Sequence, residues 1–487
     1  MVLRRLSPDK VDFVFANDQE RDTGPRVFNF NSTVNLADHT LFERLNESMS
    51  IHPSLFGDFG LEDIVQPHDE MAISDLRTDE AHVDRLVEFY FAHSHTLYPI
   101  IHRGDFLKSL HEYRSSGQDP LLHPPLFMFR MWMVLAIGST AFSAISLTEE
   151  SESRQYYQEA LRYIEQAMSG DFAALEVIML QVSYSFFNQL GPNTWFLVGM
   201  AARLALGLGL HSSSTYVGIP VDIAQSRKRL FFSVYMMDRV VSIALGRPFA
   251  LHDDDIDVSD FAAVDEECIG VDGIQPPNPL HPSLLAVPLH ILALRRIAGK
   301  IARKVYANNI PAFLTSNERE KILHSLHEEL VDWRRNMPFP LPDISDRVPQ
   351  LTSNWFDFNY YTHLAMIYRP SPMFPTMDHK RVKILEEAAS MSIRQAYSMH
   401  RQGRFAYNWL NLLSIFTSTL SLIYSTNVQP DDLVTVLKQT RAIEDLDLVI
   451  ELFDTLGFKF SVANKLRGMV ADISSRYKDL RASSETT

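Results

Sequence analysis

Hydrophobic positions recur every three or four residues over most of this chain, a spacing that predicts amphipathic helices rather than strands. The first clear case begins at Thr78, where "TDEAHVDRLVEFYFAHSH" has a capping residue, early acids and one apolar face. No segment with strand periodicity interrupts the pattern for long. We therefore predict an all-α fold, a single-domain bundle of roughly a dozen helices. The predicted helices cover 81–97, 124–147, 151–168, 171–189, 193–209, 222–245, 284–307, 316–335, 354–368, 381–401, 405–425, 431–456 and 460–480.

The polar segments divide the chain into three parts. Residues 1–78 alternate acidic and turn-forming stretches with short apolar runs, which is typical of a poorly ordered lead-in. Residues 79–480 form the predicted helical body, and 481–487 ("RASSETT") a frayed tail. Within the body, 246–283 is the predicted loop-rich interval, with seven Asp or Glu between Asp253 and Glu266.

Three runs without charged residues raise the question of a membrane span: 131–148, 177–202 and 405–430. Each contains polar residues, and "NQLGPN" interrupts the second as a turn between helices. In the third run the polar residues recur with helical spacing and form one stripe: Asn408, Asn411, Ser414, Ser418, Ser421 and Ser425. We therefore expect core helices and no membrane partner.

Charge and cysteine content narrow the function classes. The chain has 45 Lys and Arg against 60 Asp and Glu, a net charge of −15, so it lacks the basic field on which duplex DNA binding normally depends. Its single cysteine, Cys268, cannot form a disulfide framework or a cysteine-based zinc site within this sequence. The sequence also lacks the common hydrolase motifs Gly-x-Ser-x-Gly and HExxH.

The stretch "LFFSVYMMDRVVSIALGRPFAL", residues 230–251, is almost entirely apolar but contains Asp238 and Arg239 and ends in Gly246-Arg247-Pro248. A buried charge without a partner is costly, so each of these side chains should meet a partner on another element. Arg203, the lone charge in "WFLVGMAARLALGLGLH", is the candidate partner of Asp238. The alternative is that these groups line a ligand cavity inside the bundle.

The acidic stretch "DDDID", Asp253–Asp257, matches the pattern with which class I terpenoid cyclases hold Mg²⁺ over a prenyl diphosphate. Downstream, "DDLVTVLKQ" nearly matches the second metal motif of those enzymes, but Gln439 stands where a carboxylate is needed. The first motif also follows Gly246 and Pro248 in a predicted loop. A solvated loop is the favoured interpretation, and a Mg-dependent terpenoid cyclase-like enzyme is the alternative.

Five blocks in a fixed order, between about 85 and 425, resemble the regulatory middle-homology domain of fungal binuclear zinc-cluster transcription factors. The blocks are "FYFAHSHTLYPIIHRGDF", "TWFLVGMAARLALGLGLH", "RKRLFFSVYMMDRVVSIALGRPFALHDDDIDV", "LHEELVDWRRNMP" and "YYTHLAMIYRPSP". Matching positions are Pro99, His102, Phe106, Arg203, Gly209, Leu210, His211, Arg229, Asp238, Arg239, Gly246, Arg247, Pro248, Asp254, Asp257, Trp333, Pro338, Arg369 and Pro370. Acids after Gly-Arg-Pro belong to the family's own pattern.

The resemblance implies a nuclear, non-enzymatic and pathway-specific regulator of RNA polymerase II transcription. At the level of the family, control of a specialised-metabolite gene cluster is one expected role. Its expected partners are the transcription machinery or a DNA-binding protein, a small-molecule effector and a second copy of the chain. The expected polar framework of the bundle, or wall of an effector pocket, consists of Arg203, His211, Asp238, Arg239 and Arg247.

The family reads DNA through an N-terminal cluster of six cysteines that holds two zinc ions. With one cysteine, this sequence cannot form that cluster. Two hypotheses remain open. Either a cluster is missing from the gene model, with zinc as cofactor and direct DNA contact, or the chain is a co-regulator without cofactor that is tethered through protein partners.

Overall fold

The computed structural model describes residues 78–146, 151–188, 193–276, 282–307, 314–342, 347–429 and 431–483. Within these ranges the chain forms sixteen α-helices and no strand, so the predicted all-α fold is confirmed. The predicted lead-in lies outside the described residues except for Thr78, as do the last four residues of the predicted tail.

The helices, numbered in chain order, are α1 (Glu80–His93), α2 (Arg103–Ser115), α3 (Pro125–Ser146), α4 (Ser151–Leu161), α5 (Ile164–Ala167), α6 (Asp171–Ser185), α7 (Thr194–Gly207), α8 (Val221–Ala244), α9 (Ala286–Val305), α10 (Ser316–Arg335), α11 (Ser353–Tyr368), α12 (His379–Arg401), α13 (Trp409–Asn427), α14 (Leu433–Gln439), α15 (Ala442–Gly457) and α16 (Ser461–Ser483). Among its described residues, the segment between α8 and α9 contains short 3₁₀ turns at Asp253–Asp255 and Glu266–Cys268 and an isolated bridge between Ile269 and Ile274, which agrees with the predicted loop.

The helices pack around two hydrophobic clusters. The larger cluster joins α1 to α8 with the C-terminal helices α13 to α16. The smaller one lies between α9, α10, α11 and α12, around residues such as Leu294, Leu326 and Phe356. Helices α1 and α3 lie so close together that a Cβ added at Gly138 would overlap the carbonyl oxygen of Leu86.

The structure differs from the predicted set of helices at three places. Helix α2 was missed, because only Phe106 and Leu110 of its residues are buried and the periodic signal is weak. The helix predicted over 151–168 is broken after Leu161, where the N–H groups of Arg162 and Tyr163 bond carbonyls only three residues back. The helix predicted over 431–456 is broken at Thr440, whose backbone is extended.

The polar stripe predicted on the helix over 405–425 lies inside the bundle. The Ser418 hydroxyl is 2.9 Å from that of Ser392 on α12, and the Ser421 hydroxyl donates to the Thr417 carbonyl of its own helix. Of the described helices, α3 contains a stretch, Pro125–Ser143, that is long and apolar enough to cross a membrane, but 78% of it is buried within the fold. A core helix of a bundle has the same properties.

Candidate functional site

The helix stop predicted at Gly246-Arg247-Pro248 reverses the chain at the end of α8. Gly246 has φ 61°, a left-handed conformation that glycine adopts without strain. Its N–H bonds the carbonyl of Ile243 at 3.2 Å, and the N–H of Arg247 bonds that of Ser242 at 2.8 Å. The loop that follows is thereby directed back along the helix.

Asp238 fastens this loop to α8. Its carboxylate accepts hydrogen bonds from the backbone N–H groups of Ala250 at 3.0 Å and Leu251 at 3.2 Å. It also accepts from Arg239 Nη1 at 2.7 Å. Burial raises the pKa of the Asp238 carboxyl, and the two backbone N–H groups and Arg239 oppose that rise. The acid that the sequence placed inside an apolar helix is therefore a structural acceptor.

Arg239 is fully enclosed, with 0% of its side chain exposed. Its guanidinium lies 4.2 Å from the ring centroids of both Tyr235 and Phe249, and Nη2 is 3.2 Å from Asp253 Oδ1. A Cβ at Gly299 of α9 would lie 3.1 Å from Arg239 Nε, so the glycine makes room for this side chain. Arg239 thus joins α8, the loop and α9.

The acids of "DDDID" serve different protein partners. Asp253 accepts from the Tyr235 hydroxyl at 2.6 Å and lies 3.6 Å from Arg303. Burial opposes its ionisation, but the Tyr235 hydroxyl and the guanidinium groups of Arg239 and Arg303 lower its pKa below the usual value. Asp257 instead accepts from the N–H of Ser213 at 2.6 Å.

This distribution does not match the terpenoid-cyclase alternative. Among the described residues, no three His, Cys, Asp or Glu side chains lie close enough together to hold a metal ion. Asp432, in the second motif, accepts from the N–H of Thr435 and caps α14. Asp253 and Asp257 of the first motif and Asp432 of the second are therefore used as hydrogen-bond acceptors within the fold.

The predicted pair of Asp238 with Arg203 was wrong. Arg203 is exposed on α7, on the side opposite its buried alanines, whereas Asp238 is bonded to Arg239. His211 contributes its backbone carbonyl, which accepts from the N–H groups of Asp257 at 3.1 Å and of Val258 at 3.2 Å. The exposed Arg247 lies over the ring of Trp195 at 4.4 Å. Of the five predicted residues, Asp238 and Arg239 are brought together.

A separate cavity of about 220 Å³ lies where α8, α9, α11, α13 and α16 meet. Its wall is largely apolar, with Val240, Leu410 and Phe416 among the contributors. Arg203, His211, Asp238, Arg239 and Arg247 are all absent from the described residues that line it. The effector-pocket role predicted for these five residues therefore does not apply to this cavity.

The polar part of the cavity wall contains Arg295, Arg369 and His363, and no Asp or Glu stands among the described residues that line it. Sequence reasoning missed Arg295. It lies in "LRRIAGKIARKVY", whose other basic residues form a solvated face. Its position on the helix indicated burial, because Arg295 lies four residues after Ile291 and three before Ala298, and both of these are buried.

The comparisons with known proteins agree with these features. The model of the fungal specific transcription factor domain matches residues 87–335, just over half of the chain. Protein STB5 of Saccharomyces cerevisiae is 24% identical over 432 residues, which cover 83% of this chain and 55% of that protein. Pyrimidine pathway regulatory protein 1 of the same yeast is 26% identical over 311 residues, 62% of this chain and 34% of that protein. The positive regulator of purine utilization of Emericella nidulans is 23% identical over 475 residues, 76% of this chain and 44% of that protein.

This chain thus spans about a third to just over half the length of these relatives. The family match includes Asp238, Arg239 and the loop that they hold, and it covers the first three sequence blocks and most of the fourth. The chain belongs to the fungal specific transcription factor domain family.

Proposed function

We propose that this chain acts in the nucleus as a pathway-specific regulator of RNA polymerase II transcription, with its helical body as the regulatory domain. The observation that carries the proposal is the family match over residues 87–335, which spans α2 to α10 and the second half of α1. The names of two relatives, regulators of the pyrimidine pathway and of purine utilization, support control of one metabolic pathway.

The proposed role is not catalytic. The acids that could have formed a magnesium site are occupied by Arg239, Arg303, Tyr235 and Ser213. Such pairing stabilises a fold, and in the described part of the chain no three metal-ligating side chains converge on one ligand.

The chain itself is a poor candidate for direct duplex binding, because its net charge of −15 repels phosphate. We propose that DNA contact comes either from a zinc cluster encoded upstream of this sequence or from a DNA-binding partner protein. Reading the 5′ end of the native transcript distinguishes the two. An upstream exon with closely spaced cysteine pairs supports the first, and an in-frame start at Met1 without such an exon supports the second.

Chromatin occupancy combined with depletion tests the regulatory role. The epitope-tagged chain is expected to occupy a limited set of promoters, and the transcripts of those genes should change when the chain is depleted. A chain that is retained in the nucleus, occupies no promoter and leaves transcript levels unchanged on depletion contradicts the proposal. Asp254→Ala removes an exposed side chain and should occupy the same promoters, so it serves as the control for a neutral substitution.

A further inference from the structure

Arg295 is a buried cation that lacks a carboxylate partner among the described residues. Only 9% of its surface is exposed, and its Nε has no hydrogen-bond partner in the described part of the chain. Among the described side chains, it is the neutral Tyr98 hydroxyl that accepts a hydrogen bond from it. An arginine in this situation has lost its water without gaining a counter-charge, an arrangement that costs stability.

The described side chains that line the cavity around Arg295 add positive charge or hydrogen-bonding capacity but no negative charge. Arg369 donates through Nε to the Tyr306 hydroxyl at 2.7 Å, so part of its guanidinium is held in place. His363 Nδ1 lies 2.7 Å from the Asn359 carbonyl oxygen, to which it donates. Burial first, and the charge of Arg295 second, lower the pKa of His363 to about 4, so the ring is neutral at pH 7 and its Nε2 is an acceptor.

The cavity that Arg295 borders has room for a small organic molecule. At roughly 30 Å³ per water in the liquid, its volume of about 220 Å³ corresponds to about seven water molecules. Apart from the polar groups named above and short Asn, Gln, Ser and Thr side chains, its wall is made of aliphatic and aromatic residues. An apolar cavity with one converging charged group is the usual form of a site for a small ligand.

We propose that this cavity binds a small organic monocarboxylate, with the carboxylate on Arg295 and an apolar body against the aliphatic and aromatic wall. The carboxylate supplies the counter-charge that the described fold does not, and a guanidinium recognises it through paired N–H donors. A phosphate fits less well, because its higher charge needs several cationic donors and this wall is mostly apolar. That the ligand controls transcription rests on the proposed function, but binding itself does not.

Two matched probes test the charge requirement on the purified full-length chain by calorimetry. Naphthylacetate and its uncharged amide have the same aromatic body and differ at the carboxylate. We expect the acid to bind about tenfold or more tightly than the amide, as charge-assisted hydrogen bonds do relative to neutral ones. Equal affinity for the two probes, or no binding of either, overturns the proposal.

Arg295→Gln tests the residue, and Lys304→Gln is the matched control. Lys304 is on the same helix, is exposed and lies outside the described cavity wall, so its substitution removes one charge without touching the site. The preference for the acid should disappear in Arg295→Gln and persist in Lys304→Gln. A preference retained in a folded Arg295→Gln chain overturns the proposal.

A third variant keeps the test valid if Arg295→Gln does not fold. Ser414→Phe places a ring in the cavity from α13, at a position that contributes to its wall. Binding of both probes should fall by at least about tenfold, as expected when the ligand's volume is filled. Undiminished binding in this variant places the ligand elsewhere and overturns the proposal. Because no DNA is present, failure here leaves the proposed role in transcription untouched.

Discussion

Replacing Asp238 by alanine removes the acceptor that holds the loop after α8. In the variant, the fully buried Arg239 loses the Asp238 carboxylate and retains the one of Asp253. The buried N–H of Leu251 loses its acceptor. Breaking a buried charge pair in this way costs about 3–5 kcal/mol. This cost already includes the hydrogen bond that the N–H of Leu251 loses.

The corresponding change in melting temperature follows from the size of the fold. At about 2 cal/mol/K per residue, the unfolding entropy of a helical body of this size is on the order of 0.8 kcal/mol/K, so the variant should melt about 4–6 °C lower. Scanning calorimetry measures the shift.

Asp254→Ala is the matched control for this experiment. It deletes a carboxylate from the same region, but the Asp254 side chain is 86% exposed and lies 3.4 Å from Arg303. Surface pairs of this kind contribute about 1 kcal/mol or less, so the control should melt within about 1 °C of the natural chain. If Asp238→Ala melts no lower than Asp254→Ala, the structural role assigned to Asp238 is refuted.

Two further predictions concern close packing and pH. In a denaturant titration, Gly138→Ala should destabilise the chain by about 1–3 kcal/mol, because the new Cβ overlaps the backbone of Leu86. Gly468→Ala places its Cβ where no other atom is near, so it should stabilise the chain by up to about 1 kcal/mol. Equal effects of the two substitutions contradict the close approach of α1 and α3. Burial lowers the pKa of His93 and His95 to about 3 and, with the charge of Arg295, that of His363 to about 4. As the pH falls, the unfolded chain protonates these histidines near pH 6.5, whereas the folded chain protonates them only near the lowered pKa values. The free energy of unfolding is therefore highest above about pH 6.5, and it falls by roughly 1 kcal/mol per histidine between about pH 7 and 5.5. The denaturation midpoint should drop accordingly, and a midpoint independent of pH over this interval contradicts the burial of these rings.

The helical periodicity was sufficient for the fold class, because each long helix buries one apolar face and the spacing records it. It failed where that face is small, as on α2, and where local hydrogen bonds end a helix, as after Leu161. Those bonds depend on backbone geometry that side-chain pattern does not encode.

The charged groups were harder to place. A partner for Asp238 was expected on another element because a buried charge without a partner is costly. The long Arg239 side chain instead bends back to Asp238 while also reaching Asp253. Arg295 was overlooked because it stands among basic residues that face solvent, and its place beside α11 and α13 in the cavity wall follows from the tertiary fold.

The central claim, that this chain regulates transcription, is tested most directly by fusing all 487 residues to an unrelated DNA-binding domain and measuring a reporter that carries its sites. The account predicts that the fusion changes reporter transcription severalfold, up or down, relative to the DNA-binding domain alone, and that Asp238→Ala weakens the effect. A fusion expressed at an equal level that leaves the reporter unchanged would contradict it.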